Sequence, residues 1–454
     1  MRVTKTVWGA GFALLGILAA ACSVSTPRNG FTVGTGASAP ATATTALAGN
    51  GPALGADAPI VSAPSAAGAA SSAPTASAGS ASTRAAATAA APRGSVTGLT
   101  PNSITISVLA GYSGSYGSLM KLITDGYNLW ADEANANGGI NGRKIVLKTV
   151  DNHDTAEGGV AACKEVQGNG SFLAISLAGL GGADMSSSDC LDRAGIPLFG
   201  QNLAGYRSSW HHVISMNDDA KQAAPLATFI KDVIGDASGK VGMIVVNDPI
   251  HLAAHDQVGS DLDRLHIARV RDEIVAANQG SFVAELSRLR SAGATTVAIL
   301  TGSEAIGIVR DAKAIGYAPH FTGVLWTLDE FSQAAGAVWT GIKAIRVWPT
   351  TDSKAYADYA AKAHKYKRDT LVNSTVMAVY GSGLLLGEVL KRAGGSLDRE
   401  SVVSSAEGIV GYDNGIIALS FGPGKHLADI KAYPLVCCNS DNTWKGAGGP
   451  AFTF

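Results

Sequence analysis

From Ile104 onward, short apolar runs alternate with longer stretches in which apolar residues recur every three or four positions. That grammar predicts strands joined by amphipathic helices, hence parallel sheets with helices packed on both faces. The first series reads as strand 104–109, helix 118–135 carrying Leu119, Ile123, Tyr127 and Trp130, strand 145–150 and helix 156–165. Strand 172–176, helix 183–194 and strand 196–200 complete a doubly wound half. A second series follows: helix 219–234, strand 241–246, helix 253–265, strand 268–273, helix 282–292, strand 296–301, helix 304–315 and strand 321–324. The chain then predicts a strand at 344–348, helices at 353–366 and 374–393, and a last apolar stretch at 416–421.

The amino-terminal region obeys a different rule. Arg2 and Lys5 precede an apolar run, Val7 to Ala20, and small residues lead into Cys22. This is the layout of a secretion signal over residues 1–21, too short to be read as a membrane span. Bacterial lipoproteins with such a segment are cut before the cysteine, which then carries acyl chains. The expectation is a chain anchored through Cys22 on the extracytoplasmic side of the cell membrane, touching the membrane by its lipid alone. Ala19 stands where such sites more often carry leucine. Residues 22–97 are almost wholly Ala, Ser, Thr, Gly and Pro, which cannot build a core and reads as a flexible tether with a span of roughly 50 Å.

With 35 basic and 36 acidic side chains, the net charge of −1 argues against nucleic acid as a partner. The region 98–454 is long for one core and suits two lobes. Cys163 and Cys190 lie on consecutive helices and can pair outside the cytoplasm, whereas Cys437 and Cys438 are adjacent and either form a vicinal bridge or stay reduced.

The segment Asp132-Glu-Ala-Asn-Ala-Asn-Gly-Gly-Ile-Asn-Gly-Arg-Lys144, followed by a strand and Asp151, carries a resemblance. With the Ser-Gly loop after the first strand, Val241 to Asp248 and Arg310 to Gly316, it resembles the branched-chain amino-acid-binding family of type I periplasmic binding proteins. The glycine turn speaks for the fold only, Gly138 and Gly142 supplying positive φ. The resemblance implies an α/β fold of two Rossmann-like lobes joined by three crossing segments, near 212–217, 344–348 and 418–421. Lobe 1 would comprise about 98–215 and 345–420, and lobe 2 about 216–344 and 421–454. It further implies a monomer that closes on a small-molecule ligand and delivers it to an ABC permease, with no cofactor and no catalysis. A disulfide in the first lobe is frequent among such extracytoplasmic proteins.

Open α/β sheets bind ligands beyond the carboxyl ends of their strands. That rule nominates Tyr112, Ser113 and Tyr116, then Leu180, Gly181 and Gly182, then Gln201, Asn202 and Leu203. From the second series it nominates Asp248, His251, Ser303, Glu304, Leu325 and Trp326. Family members that hold amino acids use hydroxyls for the α-carboxylate and an acid for the α-ammonium. Here Leu203 and Ala204 fall near one hydroxyl position and Leu325 or Trp326 at the acid, so a standard branched-chain amino acid is disfavoured unless Asp248 or Glu304 takes over. His251 and His255 have the i, i+4 spacing of a metal pair but lack a third ligand. A Gly-x-Ser-x-Gly elbow is absent, so an enzyme trails the alternative reading, a sensor that signals from the same cleft to a membrane receptor or kinase.

Overall fold

The computed structural model describes residues 96–453, except 115–116, 178–181, 204, 237, 303, 325–338, 367, 369–372, 438–443 and 448–450. The nominated residues Tyr116, Leu180, Gly181, Ser303, Leu325 and Trp326 lie outside the described residues, as do Cys22 and Cys438.

The first series forms β1 (Ser103–Ala110), α1 (Gly117–Ala136), β2 (Lys144–Asp151), α2 (Ala156–Gly168), β3 (Leu173–Ser176), α3 (Ala183–Arg193), β4 (Leu198–Gly200) and β5 (Val213–Ser215). These five strands are parallel in the order β2-β1-β3-β4-β5. The helix predicted over 219–234 is broken: α4 (Asp219–Ala223) and α5 (Leu226–Phe229) flank Pro225, and a π turn occupies Ile230–Ile234. Proline lacks the N–H needed to continue the ladder, which accounts for the interruption. The second series comprises β6 (Lys240–Val246), α6 (Pro249–Arg264), β7 (Ala268–Val275), α7 (Val283–Ser291), β8 (Thr296–Leu300), α8 (Glu304–Ala314), β9 (His320–Val324) and β10 (Lys343–Arg346). Its strands are also parallel, in the order β10-β9-β8-β6-β7. Then come α9 (Lys354–Lys365), α10 (Ser374–Ala393), α11 (Arg399–Glu407), β11 (Tyr412–Asp413), β12 (Ala418–Gly422) and β13 (Lys425–Val436). Two short strands, β14 (Lys445–Gly446) and β15 (Phe452–Thr453), pair with β13.

β13 joins the two parallel runs. It pairs with β5 through Leu427 and Ser215 and antiparallel to β10 from Lys343↔Val436 to Arg346↔Tyr433. The turn at the end of α1 takes the expected form, with Gly138 at φ 91° and Gly142 at φ 79°. A Cβ would have open space at both, so the positive φ alone calls for glycine there. Close packing of α1 on α10 likewise rests on small residues: a Cβ at Gly383 would lie 2.6 Å from the Trp130 ring.

Cys163 and Cys190 form a disulfide between α2 and α3, 27 positions apart. Around it Val166, Leu191 and Leu198 make a fully buried cluster. Cys437 is disulfide-bonded as well. On the chain-entropy account, closing a loop of this length stabilises by about 3–4 kcal/mol. Replacing both Cys163 and Cys190 by alanine is therefore expected to lower the unfolding free energy by about 3 kcal/mol in urea denaturation monitored by circular dichroism.

Candidate functional site

A cavity of about 190 Å³ opens where the first parallel run meets β10 and β13. Its walls come from the loops at the carboxyl ends of four strands: Leu177 after β3, Gln201 and Asn202 after β4, Met216 and Asn217 after β5, and Val347 and Trp348 after β10. Gln222 of α4, Leu119 and Ile123 of α1, and Thr375, Ala378, Val379 and Ser382 of α10 complete most of the enclosure. This is the position at which an open α/β sheet receives a ligand. A larger groove of about 470 Å³ lies instead at the amino ends of β9 and β10, around His320 and Lys343.

The lining is apolar with a few polar groups set into it. Asn217 and Gln222 are only 4% and 5% exposed. Asn217 Oδ1, Gln222 Oε1 and Thr375 Oγ1 have no hydrogen-bond partner among the described residues. A buried polar atom left this way costs about 1–3 kcal/mol, which a ligand able to bond there recovers. The Asn217 carbonyl is engaged, accepting from Leu203 N–H at 3.0 Å and Ser215 Oγ at 2.5 Å, and this fixes the loop after β5. Trp348 donates from Nε1 to Ser374 Oγ at 3.3 Å, and the Arg346 guanidinium lies 5.2 Å from its ring centre. Apolar walls with a few fixed polar groups are the usual make-up of a small-molecule site.

Of the nominated residues, Gln201 and Asn202 line this cavity. Leu203 is fully buried and packs with Leu109 and Trp210 in the core. Tyr112 leans on α1, its hydroxyl 3.0 Å from Thr124 Oγ1, and burial pushes the phenol up to about 12. Ser113 is exposed and bonds His153 Nδ1 at 2.7 Å. Gly182 caps α3 at φ 86°.

The two acids of the second series are engaged by their own surroundings. Asp248 is the N-cap of α6: Oδ1 accepts from His251 N–H at 2.9 Å, and Oδ2 lies 2.5 Å from His251 Nδ1. Burial alone would raise its carboxyl, but the His251 side chain and the backbone N–H groups of His251 and Ile250 outweigh this and hold it below the usual range. Glu304 accepts from Asn278 N–H at 2.7 Å and from Gly302 N–H at 3.1 Å, one bond to each oxygen. Among the described residues, no carboxylate lines the cavity. The signal for the role of Asp248 was present in the sequence as Asp-Pro-Ile-His, an N-cap followed by proline at the first helical position. Asn217, Gln222 and Thr375 carried no such signal, since their convergence is made by tertiary packing.

The class of protein follows from this arrangement: two parallel α/β runs bridged by β13, with a cavity at strand carboxyl ends. The chain belongs to the periplasmic binding protein family, which it matches over residues 103–441. It is 26% identical over 198 residues to the Leu/Ile/Val-binding protein homolog 3 of Brucella melitensis. That match covers 43% of this chain and 53% of the relative, so the chain spans about half the length of the curated relative it matches. A branched-chain amino acid ABC transporter protein from Thermus thermophilus, solved with valine, superposes with a TM-score of 0.69 at 15% identity, covering 78% of this chain and 98% of that one. A solute-binding protein from R. palustris in complex with benzoate gives a TM-score of 0.65 at 19% identity, covering 77% and 98%.

Replacing Asp248 with alanine is expected to cost about 1–2 kcal/mol at neutral pH through loss of the cap. Because the folded carboxyl is held low, its contribution is present above the ordinary carboxylate range and lost as pH falls through the folded value. Urea titrations of the two proteins should therefore converge on acidification, and a gap that persists in acid would show that the charge is not what Asp248 contributes.

Proposed function

We propose that this protein is the substrate-binding component of an ABC importer, held by a lipidated Cys22 on a tether of residues 22–97. In this reading it works as a monomer outside the cytoplasm, closes two lobes on a small organic ligand and passes the ligand to a membrane permease. The lobes are taken as about 98–215 with 345–420, and about 216–344 with 421–454. The reading requires no cofactor and no chemical step. Among the described residues, no helix is long and apolar enough to cross a membrane, which is compatible with attachment by lipid alone.

The observation that carries this reading is the cavity at the strand ends, where buried Asn217 and Gln222 sit in a largely apolar lining. The ligand class includes amides, carboxylates and amino-acid-like molecules, as the relatives that hold valine and benzoate suggest. Within that class the lining favours an apolar or aromatic body with a compact polar end. A free ammonium would need a carboxylate partner to offset its desolvation.

A thermal-shift panel of amino acids, amides, short carboxylates, aromatic acids and sugars tests the reading on the full chain. A ligand that binds only the folded state, present at a hundred times its Kd, stabilises by about 2.7 kcal/mol. Hits confined to one chemical class are expected. Substituting Ala378→Leu, which extends a buried α10 side chain into the cavity, should weaken the best hit by about tenfold or more while the protein stays folded. Unchanged affinity in that variant would remove the cavity from the ligand site.

A further inference from the structure

A second constellation lies at the opposite, amino end of β5. Two carboxylates of α3 fasten the segment that leads into this strand. Asp189 accepts from Arg207 Nη1 at 2.9 Å and from Trp210 Nε1 at 2.8 Å. Asp192 Oδ1 accepts the backbone N–H groups of His211 and His212, at 2.9 and 2.7 Å. Held this way, the two imidazoles meet edge to face, their ring centres 4.6 Å apart. Both aim Nε2 at one carboxylate of α11: His211 lies 2.9 Å from Glu400 Oε2 and His212 lies 2.8 Å from Glu400 Oε1.

We propose that His211, His212 and Glu400 form a binding site for a divalent transition metal ion of the zinc type. One ligand atom from each of the three residues lies within 4.8 Å of the others. Zinc accepts imidazole nitrogen and carboxylate oxygen at about 2.0–2.2 Å in a tetrahedron, which sets neighbouring donors about 3.3 Å apart. The present nitrogen–oxygen separations are hydrogen-bonding ones, so binding the ion requires a widening of about half an ångström and removal of the proton from each of the two Nε2···O contacts, by release to solvent or by transfer to Nδ1 of the same ring. Each neutral imidazole then carries its proton on Nδ1 and offers the Nε2 lone pair. Two imidazoles and a carboxylate leave the fourth position to water, and His211 and Glu400 are both exposed.

A second observation is independent of this convergence. His212 Nδ1 faces Asp192 Oδ1 at 3.5 Å, so a carboxylate stands on the side of the ring where an outer partner of a metal-bound histidine is commonly found. The contrast with His255 is instructive. Its two nitrogens face different acids, Nδ1 toward Asp256 at 3.0 Å and Nε2 toward Asp272 at 3.1 Å, so no single point collects the ligands. His251, its partner in the sequence spacing, is turned to Asp248.

An ion at this site would clamp α11 to the segment entering β5. The ligand cavity lies beyond the other end of that strand, at Met216 and Asn217. The clamp is thus separate from ligand recognition and acts on stability.

Calorimetric titration of the full chain with zinc chloride tests the inference. One equivalent is expected to bind, with a rise in melting temperature. Glu400→Gln and His211→Ala should each weaken that binding by about tenfold or more, and Asp192→Asn, acting through His212, by about tenfold. Exposed His211 and Glu400 leave the metal-free fold intact in their variants, which circular dichroism checks. Absence of zinc binding at micromolar concentrations would overturn the proposal, as would binding that Glu400→Gln or His211→Ala leaves unchanged. Both results are separable from the thermal-shift panel, because the zinc titration uses no organic ligand.

Discussion

The pairing of β13 is the constraint on which the rest of the architecture depends. Its first half lies antiparallel to β12 and touches β5 in parallel at Leu427, while its second half runs antiparallel to β10. Two parallel runs that would each end in an open edge are thereby joined, and exposed strand edges are a liability in any sheet. The cavity sits beside that junction: Asn217 follows β5, Val347 and Trp348 follow β10, and Ile430 belongs to β13 itself. The strand that makes the sheet continuous therefore also decides which strand ends face one another and which side chains meet.

The cavity's chemistry depends as much on acids that are committed elsewhere. Asp248 and Glu304 stand at the starts of α6 and α8 and spend their oxygens on N–H groups and on His251. Carboxylates in such positions stabilise helix starts and loops, because the first N–H groups of a helix have no internal partner. The polar side chains that line the cavity are amides and hydroxyls on α4, α10 and the loops after β4 and β5. Amides and hydroxyls recognise by hydrogen bonding, and the apolar walls around them favour a ligand that brings its own hydrophobic bulk.

Much of the fold was legible because parallel strands buried on both faces read as continuous apolar runs, as in Val241 to Val246 and Thr296 to Leu300. β13 escaped notice because its inward positions are His426, Ala428, Ile430, Ala432 and Pro434, so small or polar residues blur the alternation. α11 was missed for a similar reason: its buried side is only Val402, Val403 and Ala406, although Asp398 and Ser401 form a capping box at its start. The strand-end rule nominated Gln201 and Asn202, which lie on a loop directly after a strand and line the cavity. It could not find Gln222 or Thr375, because their place depends on how α4 and α10 pack over the sheet. It also nominated Asp248 on position alone, and the structure places that side chain as the N-cap of α6.

A small organic ligand is expected to occupy the space bounded by Asn217, Gln222, Thr375 and Trp348. A crystal structure of the full chain with a bound ligand tests it most directly. Electron density for the ligand is expected inside this cavity, its polar end within hydrogen-bonding distance of Asn217 or Gln222 and its apolar part against Trp348 and Val379. Density for a bound ligand elsewhere, such as the groove around His320 and Lys343, with the cavity unchanged, would contradict it.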